Sequence, residues 1–171
     1  KSIMNILVIG GAGYIGAHVV HDLVEEGHHV IVFDNLSSGF KENLPVNCNF
    51  IQGDILNKVK LNSALKQDID AVFHFAAKKA AGESMVDVRS FSQTNIAGTI
   101  NILDAMIECK VNNIIFSSSA AVYGEPKYIP IDESHPTVPT NYYGFTKLTI
   151  EALFQWYSKI HEINFASLRY F

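Results

Sequence analysis

One stretch decides the fold of this chain: residues 5–16, which read NILVIGGAGYIG. The apolar run before the glycines is typical of a buried strand, and apolar spacing over residues 14–26 predicts a helix with Ile15, Val19, Val20 and Leu23 on one face. A strand, a glycine turn and a helix in this order place backbone N–H groups at a helix N-terminus, where the helix dipole favours a phosphate. The sequence therefore predicts a phosphate-binding turn between the first strand and the first helix.

The glycines of this turn are Gly10, Gly13 and Gly16, spaced three residues apart. Glycine suits such a turn because it adopts positive φ and because it lets other atoms approach the backbone closely. The spacing G-x-x-G-x-x-G differs from the simple dinucleotide fingerprint G-x-G-x-x-G. The glycines by themselves therefore leave open a turn that binds no ligand.

The bulk properties are those of one ordinary globular domain over residues 1–171, with 48% hydrophobic and 18% charged residues. The net charge is −4 and there is no basic tract, so we expect neither a nucleic acid nor an anionic membrane as partner. No apolar run approaches the ~20 residues of a membrane helix. The N-terminus enters the first strand directly, so we expect no signal peptide, and Met4 is a candidate native start.

The two cysteines, Cys48 and Cys109, are far apart in the chain and lack metal-ligand spacing. We therefore expect no metal site, a reduced chain and a cytoplasmic location. Each cysteine is interpreted as a small core residue rather than a nucleophile.

Apolar runs alternate with helical periodicity along the whole chain. This alternation predicts βαβ units, a parallel doubly wound sheet (a Rossmann fold) with helices on both faces, and the strand order 3-2-1-4-5-6. Strands are predicted at 5–9, 28–33, 49–52, 70–77, 113–117 and 164–170. Helices are predicted at 14–26, 58–67, 86–109 and 142–160, with Val59, Leu61, Leu65, Leu148, Ala152, Leu153 and Trp156 on core faces, and a proline-rich loop at 123–140.

Ligands of such sheets bind at the carboxyl ends of the strands. Asp34 ends the second strand, 18 residues after Gly16, and an acid there can accept hydrogen bonds from an adenosine ribose. Because a carboxylate would repel a 2′-phosphate, NAD is favoured over NADP; the alternative is that Asp34 only caps a turn. Asp54 and Ile55 follow the third strand, where they can hold an adenine.

Small and then basic residues follow the fourth strand, in the run Phe75-Ala76-Ala77-Lys78-Lys79. The lysines can face a pyrophosphate or an anionic substrate, or they can simply be solvated. The sequence leaves both interpretations open.

Hydroxyl groups and a lysine follow the fifth strand. The run 117–119 is Ser-Ser-Ser, which can place a hydroxyl beside a ligand or simply end the strand. Tyr143 and Lys147 are four residues apart at the start of a helix, so their side chains share one face. A neighbouring ammonium and a positively charged nicotinamide would both lower the tyrosine pKa, because they favour the phenolate.

The histidines show no ligand pairing. His74 is predicted to be a hydrogen-bonded sheet residue. Surface positions are expected for His21, His28, His29, His135 and His161, and Asp132 and Glu133 are expected to be solvated.

Taken in order, the motifs resemble the extended short-chain dehydrogenase/reductase superfamily, and most closely its nucleotide-sugar 4-epimerases. The resemblance covers essentially the whole chain. It rests on GGAGYIG (10–16), DNL (34–36), GDI (53–55), HFAA (74–77), GES (82–84), NIAGT (95–99), FSSSAAVYG (116–124), YGFTK (143–147) and LRYF (168–171).

The resemblance implies a UDP-hexose substrate, NAD as cofactor and a reaction through a 4-keto sugar. Tyr143 would take the proton of the 4-hydroxyl group, Ser119 would hydrogen-bond that oxygen, and Lys147 would bind the nicotinamide ribose. Substrate contacts are implied for Lys79, Ser119 and Tyr143. Cofactor contacts are implied or predicted for Gly10, Gly13, Tyr14, Ile15, Gly16, Asp34, Asn35, Leu36, Ser37, Ser38, Gly39, Asp54, Ile55, Phe75, Ala76, Ala77, Lys79, Asn95, Tyr143, Lys147 and Phe171.

The chain departs from the family in three ways. Ala77 stands where the family usually has glycine, and Ala121 where it often has threonine. The family continues beyond Phe171 into a smaller domain that grips the nucleotide, and its members form homodimers. We therefore expect a homodimer for the full-length protein and little or no turnover by these 171 residues.

Other functions remain open. The chain can be an isolated NAD-binding module without turnover, or part of another nucleotide-sugar epimerase or a decarboxylase. A dehydratase of the superfamily would carry an acid pair where Ala120 and Ala121 stand, so dehydration is disfavoured.

Overall fold

The computed structural model describes residues 2–171. In that part of the chain one parallel sheet has the strand order β3-β2-β1-β4-β5-β6, which confirms the predicted topology. The strands are β1 (Asn5–Ile9), β2 (His29–Asp34), β3 (Asn49–Gln52), β4 (Ala71–His74), β5 (Asn113–Ser119) and β6 (Asn164–Tyr170). The order reverses beside β1, so the edge of the sheet opens into a crevice there.

The helices are α1 (Tyr14–Glu25), α2 (Lys58–Leu65), α3 (Ala81–Ser84), α4 (Val88–Phe91), α5 (Gly98–Cys109) and α6 (Tyr142–His161). The helix predicted over 86–109 is observed over 88–109, but it is not regular throughout: a π-helical turn, Ser92–Ala97, lies between α4 and α5. A π-turn carries one more residue than an α-helical turn, and such turns cluster at functional sites. Apolar spacing alone does not reveal it, because the pattern continues on both sides.

Alternate residues of the central strands serve two cores. Leu7 and Ile9 pack on one face of the sheet, with residues of α2, α5 and α6. Ile6 and Val8 pack on the other face, with Val20 of α1. This period of two is what a strand buried on both faces requires.

The inward face of α6 differs from the predicted one. Trp156 is 62% exposed and Ala152 is also exposed, whereas Lys147, Ile150 and Glu151 are buried. The helix turns two ionisable side chains inward, and a pattern that assigns every apolar residue to the core cannot anticipate this. Val59, predicted on the core stripe of α2, is likewise exposed.

The loop between β5 and α6 buries His135, so its predicted surface position is wrong. The ring accepts a hydrogen bond at Nε2 from the Lys127 backbone (2.9 Å) and packs edge-on against Tyr123. His74 is buried in β4, and its Nε2 pairs with the Thr99 hydroxyl at 2.9 Å. Its Nδ1 has no partner among residues 2–171, so the prediction of a hydrogen-bonded sheet histidine holds for one nitrogen.

The cysteines are free and only partly buried. Of the helices in residues 2–171, none is long and apolar enough to cross a membrane.

Candidate functional site

A cleft of about 280 Å³ opens at the carboxyl ends of β1, β2 and β4. The glycine turn forms its floor, and Tyr143 and Lys147 of α6 close one end. The predicted cofactor residues that line it are Gly10, Gly13, Tyr14, Ile15, Gly16, Asp34, Asn35, Ser37, Ser38, Asp54, Ile55, Phe75, Ala76, Ala77, Lys79, Tyr143 and Lys147. The structure thus gathers most of the predicted residues in one place.

The glycine turn needs glycine for the two predicted reasons. Gly10 has φ +80°, and a Cβ there would collide with the backbone of Ala76 after β4. A Cβ on Gly16 would collide with the carbonyl of Gly10. These contacts bring the ends of β1, α1 and β4 together.

Gly13 precedes α1, and no side chain caps that helix. A Cβ on Gly13 would meet only the Gly10 carbonyl, at 3.4 Å, so the glycine keeps the adjoining part of the cleft open. The first turn of α1 carries no acidic residue. The N-terminal end of α1 is therefore suited to an anionic group such as a phosphate.

Asp34 is buried at the end of β2 and joins the two sides of the turn. Its Oδ2 accepts from the Ala12 N–H (3.0 Å) and its Oδ1 accepts from the Leu36 N–H (2.8 Å). The residue therefore caps a turn and also lines the cleft. The two interpretations of the sequence are compatible, because each carboxylate oxygen can accept a further hydrogen bond.

Next to it, the Asn35 amide donates to Asp54 Oδ2 at 2.8 Å, which ties the ends of β2 and β3. Ile55 is buried against Gly98 of α5, where a Cβ would collide with its side chain. Asp34 and Asp54 make this end of the cleft acidic.

The opposite end of the cleft is basic. Lys78 is held by Glu83, with Nζ and Oε1 3.1 Å apart, whereas Lys79 is exposed at the cleft. Of the two lysines, Lys79 is therefore the one suited to an anionic ligand.

Asn95 lies in the π-turn and is buried. Its Oδ1 accepts from the Lys78 N–H (2.8 Å), and its Nδ2 donates to the Lys78 carbonyl (3.0 Å) and to Thr146 Oγ1 (3.0 Å). It does not line the cleft. Instead it fixes the segment after β4 against α6.

Lys147 is buried with its ammonium beside β5. Its Nζ donates to the Ser117 carbonyl at 2.7 Å and lies 4.7 Å from the centroid of the Phe116 ring. Burial lowers the pKa of this lysine to about 7. Lys147 is therefore poised between its charged and neutral forms near neutral pH.

The Tyr143 phenol lies at the same end of the cleft, with its ring centroid 5.7 Å from the Lys147 Nζ. Burial raises the pKa of Tyr143, and the Ser119 hydroxyl opposes that shift. In this chain by itself the pKa of Tyr143 is therefore raised, whereas the sequence predicted that it would be lowered. That prediction assumed a fully charged lysine and a bound nicotinamide, and a lysine with a pKa of about 7 supplies only part of that charge.

The three serines after β5 have three different surroundings. The Ser117 carbonyl receives Lys147, Ser118 Oγ bonds to Glu151, and Ser119 Oγ accepts from the Ala121 N–H at 3.1 Å. Ser119 does not line the cleft but interacts with Tyr143 at its end.

Three further predicted residues lie outside the lining: Leu36, Gly39 and Phe171. Phe171 is 86% exposed and stacks on Tyr123 with ring centroids 6.2 Å apart. The lining also includes residues that the sequence did not assign to the cofactor: Ile9, Phe33, Gly53, Thr94 and Ser117, together with Lys78, for which solvent and a pyrophosphate had both been left open. Gly53 had a usable signal in the sequence, because it is a glycine directly after β3; in the structure, a Cβ there would collide with the Phe33 ring.

The order of the polar groups along the cleft fits a dinucleotide bound in one orientation. Acids at the β2 and β3 end suit ribose hydroxyls and an adenine amino group, the uncapped α1 suits a pyrophosphate, and Tyr143 and Lys147 stand at the far end. Its long axis therefore runs from carboxylates, past a helix N-terminus, to a phenol and an amine.

Comparison with known proteins agrees with this geometry. Residues 6–171 match the family model described as the NAD dependent epimerase/dehydratase family. A UDP-glucose 4-epimerase of Halalkalibacterium halodurans is 47% identical over 169 residues, which are 98% of this chain and 50% of that protein.

Two solved structures are similar throughout the fold. A UDP-glucose 4-epimerase from Brucella ovis, in complex with NAD, has a TM-score of 0.96 and 39% identity, covering 98% of this chain and 52% of that one. The enzyme from Thermotoga maritima with UDP-glucose has a TM-score of 0.93 and 36% identity, covering 98% and 55%. The chain spans about half the length of the curated relatives it matches. On the match over residues 6–171, the chain belongs to the NAD dependent epimerase/dehydratase family.

Proposed function

We propose that this chain supplies the NAD-binding and proton-transfer part of a UDP-glucose 4-epimerase, which interconverts UDP-glucose and UDP-galactose. The observation that carries the proposal is that Tyr143 and Lys147 line the same cleft as the glycine turn and Asp34. The names of the similar proteins support the choice of substrate.

NAD would lie along the cleft. Asp34 would accept hydrogen bonds from the adenosine ribose, Asp54 and Ile55 would hold the adenine, and the backbone of Gly13 to Ile15 would bind the pyrophosphate. When bound, NAD supplies reversible hydride acceptance and return at C4 of the hexose. The remaining residues proposed to hold it are Gly10, Tyr14, Gly16, Asn35, Leu36, Ser37, Ser38, Gly39, Phe75, Ala76, Ala77, Lys79, Asn95, Tyr143, Lys147 and Phe171.

Tyr143 would take the proton of the sugar 4-hydroxyl and return it after the 4-keto sugar has turned its other face. Ser119 would hydrogen-bond the same oxygen, since its hydroxyl already interacts with the phenol. Lys147 would bind the nicotinamide ribose, and its ammonium would favour the phenolate. Lys79 would face the anionic part of the UDP-hexose.

Further parts of the proposal concern the whole protein. We infer that it works in galactose metabolism in the cytoplasm, which the two free cysteines support. A homodimer is supported by the exposed Trp156 and Ile160, one turn apart on α6.

The test is an epimerisation assay on the full-length protein with UDP-galactose. Tyr143→Phe removes the proposed base, and we expect kcat to fall by about 10²–10⁴-fold. Tyr128→Phe, which changes a phenol in the loop before α6, is the matched control and should leave kcat unchanged. Undiminished turnover by Tyr143→Phe would overturn the proposal.

A second candidate is an NAD-binding module without turnover, which the half-length coverage of the relatives favours for these 171 residues alone. Calorimetric titration with NAD and NADP tests binding, and we expect NAD to bind more tightly because of Asp34. NAD binding without turnover by the full-length protein would establish this second function instead.

A further inference from the structure

Helix α6 presents three ionisable residues to the end of β5, each one helical turn from the next: Tyr143, Lys147 and Glu151. The proposed function uses the first two. Glu151 is buried and faces away from the cleft, and the proposed proton transfer does not involve it.

Both oxygens of Glu151 are engaged. Its Oε1 accepts from Ser118 Oγ (2.5 Å) and from Arg169 Nε (3.1 Å), and its Oε2 accepts from Arg169 Nη2 (2.7 Å). The two-point contact fixes the planes of the carboxylate and the guanidinium relative to each other. Helix α6 is thereby joined to β5 and to β6.

Arg169 extends the network to the segment after β5. Its Nη1 donates to the Tyr123 hydroxyl at 3.0 Å, and its guanidinium carbon lies 4.8 Å from the centroid of the Tyr123 ring. Tyr123 follows the 3₁₀ turn Ala120–Val122, which begins directly after Ser119. The network therefore holds the chain on both sides of Ser119, at Ser118 before it and at Tyr123 after it.

The ion pair between Glu151 and Arg169 is not expected to contribute much to the stability of the fold. Glu151 is buried and Arg169 is half-buried, so both partners lose part of their hydration, and replacing buried ion pairs with apolar residues of similar volume is often neutral or stabilising. What it supplies is a fixed geometry between the elements that carry it.

We propose that Glu151 and Arg169 are positioning residues, which hold α6 against the ends of β5 and β6 and so set the distance between the Tyr143 phenol and the Ser119 hydroxyl. This inference rests on the proposed function, because it assigns these residues a part in the same proton transfer. They touch neither substrate nor cofactor in it.

The test uses Glu151→Gln in the full-length protein. A displacement of about 1 Å at a reacting group can cost about 10²-fold in rate, so we expect kcat to fall 10- to 100-fold with KM for UDP-galactose within about twofold. We also expect the pH profile of kcat to shift. Glu125→Gln, which changes an exposed acid, is the control and should match the parent protein.

A second measurement does not depend on turnover. Tyrosine labelled with ¹³C at Cζ reports the titration of each phenol by NMR, and the Tyr143 signal is assigned by its loss in Tyr143→Phe. We expect Glu151→Gln and Arg169→Met to move the titration midpoint of Tyr143 and to leave that of Tyr157, bonded to Asp104, in place. An unchanged Tyr143 midpoint with wild-type kcat would overturn the positioning role.

The double variant Glu151→Leu with Arg169→Met separates positioning from folding. Removal of both charges should keep the protein folded, and we expect kcat to remain low. A return of kcat to the wild-type value would show that the pair serves stability only. If Tyr143→Phe retains turnover, the proposed function fails, and the NMR titration still decides whether Glu151 and Arg169 position the phenol.

Discussion

At the scale of single residues, Lys147 carries the largest electrostatic cost of the site. Its ammonium is buried with one backbone carbonyl as hydrogen-bond acceptor, and its pKa falls from the ordinary 10.5 to about 7. Between these two pH values the unfolded chain binds a proton that the folded chain does not. The free energy of unfolding therefore rises with pH across this interval, and the full cost is present below pH 7.

Lys147→Met should remove this pH dependence. We expect the variant to be more stable than the wild type at pH 7, and the difference to shrink toward pH 10.5, by up to about 1.4 kcal/mol per pH unit. Guanidinium unfolding at several pH values measures it. For Lys79→Met, at an exposed position of the same cleft, the free energy of unfolding should change with pH as it does for the wild type. The same pH dependence in Lys147→Met would contradict the lowered pKa of Lys147.

Single residues differ in how far the sequence foretells them. Gly10 is predictable because only glycine tolerates both its φ of +80° and the close backbone of Ala76. The direction in which the Tyr143 pKa shifts is not predictable from the sequence, because it depends on the burial of the phenol and on a lysine whose own charge is lowered by burial. The spacing of residues in the sequence shows which side chains lie close together, whereas the burial of those side chains sets their protonation state.

At the scale of elements, the N-terminus of α6 contrasts with that of α1. Each of its first three N–H groups has a side-chain acceptor: Tyr142 donates to Met85 Sδ, Tyr143 to Ser84 Oγ at 2.9 Å, and Gly144 to Asn141 Oδ1 at 2.8 Å. The groups that would attract an anion are therefore already used. Helix α6 presents side chains to the cleft, whereas α1 presents its backbone.

Ser84→Ala should loosen the start of α6. The Tyr143 N–H would lose its acceptor in a half-buried place, and we expect the free energy of unfolding to fall by about 0.5–1.5 kcal/mol. Chemical denaturation measures the loss. Ser63→Ala on the exposed side of α2 should change stability by less than about 0.5 kcal/mol, and an equally small effect at Ser84 would show that this hydrogen bond contributes little.

Elements were predictable where their periodicity is undisturbed. The six strands and α1 follow from apolar runs and turns. The inward face of α6 was not predictable, because Lys147 and Glu151 point inward to meet partners on β5 and β6 that are distant in sequence. The spacing of apolar residues predicts which residues form an apolar core, but it does not predict which polar side chains are buried against polar partners.

At the scale of the whole molecule, β6 is an edge strand with one uncovered face. Its residues Leu168 and Tyr170 are 43% and 37% exposed, and they lie beside Ser117 and Ser119 of β5. An exposed apolar edge strand is a site of association between chains.

We therefore expect these 171 residues to self-associate reversibly in solution. Leu168→Lys places a charge on the uncovered face and should weaken the association at least tenfold, as measured by sedimentation velocity over a range of concentrations. Val46→Lys is the control, since Val46 is 99% exposed on a separate loop. Equal association of both variants would place the contact elsewhere on the surface.

The topology of the whole molecule was predictable, since parallel crossovers and the alternation of elements leave few arrangements. The tie that Asn95 makes from the π-turn to α6 was not, because it joins residues about fifty positions apart. That turn also constrains which sequence changes the chain can tolerate. Loss of one residue from Ser92–Ala97 other than Asn95 would restore a regular helix and keep α4 and α5 in nearly the same relative rotation, because the π-turn carries one residue more than an α-helical turn. Such deletions should thus be tolerated better than deletions within α5, where the loss of one residue rotates the preceding part of the helix by about 100°, and an engineered deletion library would show this difference.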